Sequence, residues 1–327
     1  MSGPLDTVPR DNEIGVGMEA NELTDLLESL RADVRETVDT VPDVDEHASP
    51  NADDIPDQGS ASWLKIPKLF VVVADLKNST QLGTGRHDTS TARVYKAAVE
   101  GAVKIFNRFD ADFIDIQGDG GFGVFWGEKA INRALAAGIT VRTFSETLID
   151  KLETKWGDNP GPETGFKVGI AMGRVLVKNL GTPRNRAEQE PVWAGKPVNY
   201  AVKCAQSADR HQIVIAGSVW DRIRTNDYLT YTCGCQDGEP SAGLWTDKTI
   251  DKLNDDEQYG RMTESRWCES CGPGFCEAIT AGRRKRNDIP DHERTEMAKT
   301  QMAEALASNA QKNRETRAAR LEGLARR

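Results

Sequence analysis

No stretch of this 327-residue chain is apolar for long enough to cross a bilayer, and its N-terminus lacks a basic segment leading into an apolar one. Neither a membrane span nor a secretory leader is expected, and the setting implied is cytoplasmic. Two phosphate-binding signatures are also missing. There is no Gly-x-x-x-x-Gly-Lys-Ser/Thr loop and no Gly-x-Gly-x-x-Gly that joins a strand pattern to a helix, since the one at Gly118 to Gly123 runs into a second strand pattern, which sets aside P-loop and Rossmann chemistry. A broad basic surface is lacking as well. Residues 1–62 hold sixteen Asp and Glu against three Lys and Arg, so the arm carries -13 of a total of -9 and the remainder is mildly basic at +4. That excludes a general nucleic-acid footprint and leaves room for a local cationic pocket around a phosphate ligand.

Six cysteines in a chain without an export signal read as reduced thiols or metal ligands more readily than as disulfides. Five lie after residue 230: Cys233-Gly-Cys235, Cys268-Glu-Ser-Cys271 and Cys276. Two short-spaced pairs, Cys233, Cys235, Cys268 and Cys271, can make a tetrahedral thiolate site for zinc. The alternative is that they are small buried side chains stiffening an irregular lobe.

The arm, residues 1–62, is rich in Asp, Glu, Pro and Ser and is expected to be mostly disordered. One exception is residues 21–38, where Leu23, Leu27, Leu30 and Val34 recur at helical spacing beside Leu26 and Val38. That amphipathic stripe needs a partner, either the chain's own domain or another copy of it. A catalytic domain follows over residues 63–228, then a Cys- and Trp-rich lobe over 229–287 and a helical or disordered tail over 288–327.

Within the domain, residues 69–74 form an apolar, β-branched run, the pattern of a strand buried on both faces. Residues 91–109 and 129–152 have helical periodicity. Residues 112–117 and 122–126 flank Gly118-Asp119-Gly120-Gly121, a hairpin with Asp119 at its tip and glycines supplying positive φ. Residues 166–172 and 175–177, around Gly173, predict a second hairpin. Helix, strand and helix follow at 195–208, 212–216 and 218–224. This order gives an α+β fold, a ferredoxin-like split βαβ sandwich, in which the end of the first strand and the tip of the first hairpin lie side by side.

Asp75 ends the first strand, so Asp75 and Asp119 become neighbours able to hold two divalent cations against a triphosphate. The Asn78-Ser79-Thr80 turn after Asp75 offers backbone N–H groups and hydroxyls to an anion. Asn199 and Lys203, four apart, share one face of a helix. Two metals and separate donors for the developing charge are what phosphoryl transfer requires.

The motifs Val73-Ala-Asp75-Leu-Lys-Asn-Ser-Thr80, Gln117-Gly-Asp119-Gly-Gly-Phe122 and Gly195-Lys-Pro-Val-Asn199-Tyr-Ala201, in this order, resemble the class III nucleotide cyclase domain over roughly residues 66–225. The resemblance implies attack of a ribose 3′-hydroxyl on the α-phosphate of a nucleoside triphosphate with release of pyrophosphate. It also implies a head-to-tail homodimer, in which the Asn199 helix of one subunit completes the site of the other. Asp75, Asp119 and the Leu76 carbonyl would bind two Mg²⁺ or Mn²⁺, Asn199 would orient the ribose, and Lys203 would stabilise the transition state. Purine cyclases of this family read the base with a Lys or Glu four residues before the second metal aspartate and a polar residue seven before the helix asparagine. Here those positions are Asp115 and Val192, and Lys203 stands where an arginine is usual. That pattern, with the Cys- and Trp-rich extension, is similar to the bacterial pyrimidine cyclases of the Pycsar anti-phage systems, which make cyclic UMP or cyclic CMP. The substrate implied is UTP or CTP. Tyr95 is the candidate for the tyrosine that narrows such a pocket, and Arg184 and Arg186 in the polar loop are within chain reach of a triphosphate. A purine cyclase with an unusual base pocket and an inactive nucleotide-binding module are the alternatives.

Overall fold

The computed structural model describes residues 20–84, 87–157, 161–182, 185–235, 238–300, 302, 303 and 314. The chain divides into two compact units, residues 1–43 and 44–327. In the first, helix α1 (Ala20–Asp39) presents Leu23, Leu26, Leu27, Leu30, Val34 and Val38 as an exposed stripe. Residues 1–19 of the arm lie outside the described residues.

Among the described residues the second unit is built on a nine-stranded sheet. A short strand β1 (Asp43–Glu46) flanks β2 (Ser62–Leu76), which is followed by α2 (Asp88–Arg108). The hairpin β3 (Phe113–Gln117) and β4 (Gly120–Trp126) comes next, then α3 (Ala130–Trp156) and β5 (Phe166–Gly181). The order β3-β4-β2-β5, with all three neighbouring pairs antiparallel, is the split βαβ arrangement expected from the sequence. β2 is buried on both faces because it is central. Phe70, Val72, Ala74 and Leu76 meet the helix layer of α2 and α3, while Leu69, Val71 and Val73 face the other side. β2 and β5 lose register between Ile66 and Leu69, where Pro67 has no N–H to give the ladder.

Two expectations are corrected. Residues 166–172 and 175–177 do not turn back at Gly173 but form the single strand β5. Gly173 pairs with Leu69 in mid-ladder and is not in the left-handed region. It is small because a Cβ there would press to 3.1 Å on the Pro197 ring. The arm, expected to be mostly disordered to residue 62, is tied down in its last part. Ile55 is buried, the Trp126 indole donates to the Pro50 carbonyl at 2.8 Å, and Lys178 Nζ donates to the Ser60 carbonyl at 2.5 Å. Pro, Ser and Asp lower the propensity of that segment for regular structure, but its carbonyls are satisfied by the domain and its one large apolar side chain is buried there.

Beyond β5 the chain forms β6 (Gln189–Gly195), α4 (Lys196–Ser207), β7 (Ile213–Ile215), α5 (Gly217–Ile223) and α6 (Asp227–Thr230). α4 covers the sheet face opposite α2 and α3 with Tyr200, Ala201, Cys204 and Ala205. The Cys- and Trp-rich lobe extends the same sheet, since β9 (Tyr259–Thr263) pairs antiparallel with β7 and β8 (Thr246–Thr249) with β9. It closes with α7 (Gly272–Thr280), which packs on α3 through an Asn132 side chain donating to the Ile279 carbonyl at 2.8 Å. The start of the tail is helical over residues 291–300 and is anchored: buried Asp227 accepts from the Arg286 N–H at 2.8 Å and from Arg294 Nε at 3.0 Å. Most of residues 301–327 lies outside the described residues.

Candidate active site

Asp75 is the last but one residue of β2 and follows Ala74, which pairs with Gly121 of β4. The β3–β4 turn, Gly118-Asp119, therefore comes down beside Asp75. The three glycines of that turn have different reasons. Gly118 adopts φ +63 and turns the chain, whereas Gly120 and Gly121 lie outside the left-handed region. A Cβ on Gly120 would sit 2.1 Å from the Ala74 carbonyl oxygen, and one on Gly121 2.4 Å from that of Asp115. Their smallness lets the hairpin close against the end of β2, which brings the two aspartates together.

By strand alternation Asp75 shares the sheet face of Val71 and Val73. Lys167 stands opposite it in the β2–β5 register and places Nζ 2.5 Å from Asp75 Oδ2. Sequence reasoning missed this lysine. The alternation Phe166-Lys-Val marks the face Lys167 takes, but its pairing with Asp75 depends on the strand register. Asp119 has no ion-pair or hydrogen-bond partner among the described residues. Two carboxylates, one of them without a protein partner, are hard oxygen donors that suit Mg²⁺ or Mn²⁺. The donor set thus fits the two divalent cations that a cyclase site implies.

After Leu76 the chain turns sharply. Asn78 is left-handed at φ +56, and its amide donates to the Glu163 carbonyl at 2.9 Å. Lys77 is directed away from the turn to Asp209 and Glu163, at 2.5 and 2.9 Å. Its hydrogen bond to Asp209 raises Lys77 above the ordinary lysine value, and the same bond holds Asp209 below the ordinary carboxylate value. The N–H groups of Ser79 and Thr80 open a one-turn helix and have no partner among the described residues, so they remain free for an anion. The Tyr95 hydroxyl of α2 lies 3.4 Å from the Ser79 carbonyl, which puts that ring against the inside of the turn.

Asp115 is on β3, opposite Phe122, and accepts from the Gln117 amide at 3.1 Å. Two residues before it on the same strand face, Phe113 meets Trp193 with ring centroids 5.1 Å apart. Trp193 also approaches Trp126, at 6.2 Å. This aromatic bridge, which the sequence reading did not single out, ties β6 to the strands carrying Asp115 and Asp119. Val192, next to Trp193, points to the other side of β6 and is exposed. Asn199 on α4 is exposed, with its amide 3.5 Å from the Gly195 carbonyl. Lys203, one turn on, lays Nζ over the Tyr200 ring at 5.4 Å. Within one chain no hydrogen bond or ion pair joins Asn199 or Lys203 to Asp75 or Asp119 among the described residues. Arg184 and the Arg186 side chain lie outside the described residues.

A split βαβ sheet with two neighbouring aspartates at its edge and an Asn–Lys helix packed on the face that carries Asp75 is the arrangement that the resemblance to class III nucleotide cyclases implies. No family model matches the chain. It is 54% identical over 286 residues to the uridylate cyclase of Propioniciclava tarda, covering 87% of this chain and 92% of that protein. To the uridylate cyclase of Micromonospora echinofusca it is 46% identical over 265 residues, covering 80% and 85%. The chain belongs to the uridylate cyclase family. Among solved structures it is similar to the adenylyl cyclase CyaB from P. aeruginosa, with 18% identity and a TM-score of 0.49 over 62% of this chain and 96% of that one. The guanylyl cyclase Cya2 gives 14% identity and a TM-score of 0.48 over 62% and 94%.

Proposed function

We propose that the protein converts UTP to 3′,5′-cyclic UMP and pyrophosphate, as the cytoplasmic signal-producing enzyme of an anti-phage response. The observation that carries the reading is the 54% and 46% identity, over most of the chain, to two uridylate cyclases. The site supports the same chemistry. Asp75, Asp119 and the Leu76 carbonyl would hold two Mg²⁺ or Mn²⁺, which when bound acidify the ribose 3′-hydroxyl and neutralise phosphate oxygens. The free N–H groups of Ser79 and Thr80 receive the polyphosphate, with Asn78 shaping their turn and Arg184 close by in sequence to the β6 arm. Asn199 orients the ribose and Lys203 bears on the charge that develops at phosphorus.

Pyrimidine selection follows from what the base pocket lacks. The Val192 side chain has no polar atom with which to hydrogen-bond a purine edge, and Asp115 carries a shorter side chain than the Lys or Glu of a purine cyclase. Tyr95, whose hydroxyl lies 3.4 Å from the Ser79 carbonyl, is the candidate for the tyrosine that narrows the pocket against a second base ring. Incubating the full chain with Mn²⁺ and each of the four nucleoside triphosphates separately tests this, with cyclic UMP expected as the dominant product. Cyclic CMP as the main product would move the assignment to a cytidylate cyclase, and products from ATP or GTP alone would overturn the pyrimidine reading. Tyr95→Ala is expected to raise the share of purine turnover by about tenfold while the fold persists.

The head-to-tail homodimer has its own test. Asn199 and Lys203 make no contact with the aspartates of their own chain, which is the arrangement expected if they serve the partner's site. Mixing Asp119→Asn subunits with Lys203→Ala subunits, each nearly inactive alone, should restore up to about a quarter of wild-type activity, because a mixed dimer rebuilds one intact site. Silence of the mixture in the presence of demonstrated subunit exchange would refute shared sites.

A further inference from the structure

We propose that Cys233, Cys235, Cys268 and Cys271 bind one structural zinc ion that clamps the loop after α6 to the start of α7. Their four Sγ atoms all lie within 4.8 Å of one another. A tetrahedral zinc with Zn–S bonds of about 2.3 Å sets S···S edges of about 3.8 Å, so the thiols need to contract by only about an ångström to take the ion. They come from two segments 33 residues apart, counted from Cys235 to Cys268, and only the fold assembles them.

The local backbone is shaped for the same purpose. Gly234 adopts φ +72 between the first two cysteines, and a Cβ there would meet the Glu239 carbonyl carbon at 2.8 Å. This tight glycine turn is how the short Cys-x-Cys spacing sends both thiols to one point. In the second pair, Cys268-Glu-Ser-Cys271 has the two-residue spacing common in tetrahedral thiolate sites. The chain then closes on itself, with the Gly272 N–H bonded to the Cys268 carbonyl at 2.7 Å. Cys271 is the N-cap of α7, so the positive end of that helix faces a site whose four thiolates outweigh the ion's charge by two.

Four protein thiolates fill the coordination sphere, which marks a structural site with no position for substrate. Its mechanical role is visible in what surrounds it. Trp267, just before Cys268, donates its backbone N–H to Thr143 Oγ1 at 3.0 Å and its indole N–H to Thr140 Oγ1 at 2.8 Å. Arg266 pairs with Glu146 at 2.7 Å. The second cysteine pair is thus fixed to α3, the long helix under the catalytic sheet. The first pair stands in a loop held by the Thr232–Ser241 contacts at 2.9 Å, by the Gly238 N–H on the Gly234 carbonyl at 2.8 Å and by Arg286 Nη1 on the Thr232 carbonyl at 2.8 Å. A metal between the two pairs ties that loop to the catalytic core. Cys204, buried in α4, and Cys276, on α7, lie outside the cluster.

The test is metal content in the full chain, purified under reducing conditions from zinc-supplemented cells. About one zinc per chain is expected, released by a thiol-blocking mercurial. It should be lost in Cys268→Ser/Cys271→Ser and kept in Cys276→Ser and in Asp119→Asn, the last separating it from the substrate metals. Should the double variant fail to fold, Co²⁺ exchange into the wild type decides the matter, since a tetrahedral tetrathiolate gives intense visible bands and sulfur-to-cobalt charge transfer. Wild-type protein free of zinc and unable to take up cobalt in that geometry would overturn the proposal. So would zinc content unchanged by the double substitution, or disulfides among the four cysteines found by non-reducing peptide mapping.

Discussion

Asp119→Asn is expected to lower cyclase turnover by at least about a thousandfold, corresponding to some 4 kcal/mol of transition-state stabilisation, without lowering the unfolding midpoint. The activity effect follows from the donor set. Asp119 is one of the two carboxylates that the β2–β4 pairing brings together, and an amide oxygen neither carries the charge to hold a divalent cation nor compensates the phosphates it faces. The stability effect follows from isolation. Asp119 has no ion-pair or hydrogen-bond partner among the described residues, and Gly118 and Gly120, rather than Asp119, set the geometry of the turn. Asp75→Asn should be equally inactive but slightly less stable. It leaves Lys167 without its partner at 2.5 Å, yet the Asp75 side chain is 35% exposed, so the pair contributes on the order of 1 kcal/mol or less. Product formation followed by chromatography, beside thermal unfolding of the same samples, measures both. Activity of Asp119→Asn within tenfold of wild type would remove the metal assignment, and extra Mn²⁺ should not rescue it.

What the sequence made legible is what strand order and short-range pattern determine. The apolar run before Asp75, the glycine-flanked Asp119 and the helix periodicities lead to the split βαβ sheet, because each residue pair involved is placed by its own element and a short connection. Gly173 shows where that reasoning ends. A glycine between two apolar runs reads locally as a turn, but it can equally mark a place where another segment presses on a strand, and here that segment is Pro197 from the following helix. The arm before residue 62 was illegible for a related reason. Its composition opposes a core of its own, and nothing local reveals that Trp126 and Lys178 would take up its carbonyls. Lys167 and the Phe113–Trp193 bridge were missed because cross-strand partners depend on register. The four cysteines were legible as two pairs, and the Gly234 turn that unites them was not.

The largest stability effect is expected from one methyl group, in Gly169→Ala. Gly169 lies in the middle of the sheet, paired with Val73 of β2 and Val214 of β7. A Cβ there would stand 2.0 Å from the Ala201 carbonyl oxygen and 2.3 Å from the Ala205 nitrogen. Both are backbone atoms of α4, so no side chain can swing aside and the helix must move as a body, away from the apolar layer that Ala201, Cys204 and Ala205 make with Val71 and Val73. Overpacking against backbone of this kind is expected to cost about 3 kcal/mol. The displacement also carries function, because Asn199 and Lys203 ride on the same helix. A shift of about 1 Å at catalytic groups is enough to reduce turnover by roughly a hundredfold. Gly243→Ala supplies the control, since a Cβ at Gly243 meets nothing within 4 Å and its φ is not left-handed. That variant should stay within about 0.5 kcal/mol of wild type. Denaturant unfolding and turnover of the two variants together test whether α4 is seated on the sheet through Gly169. Equal stability of the two would mean that the helix backbone does not bear on β5 at this point.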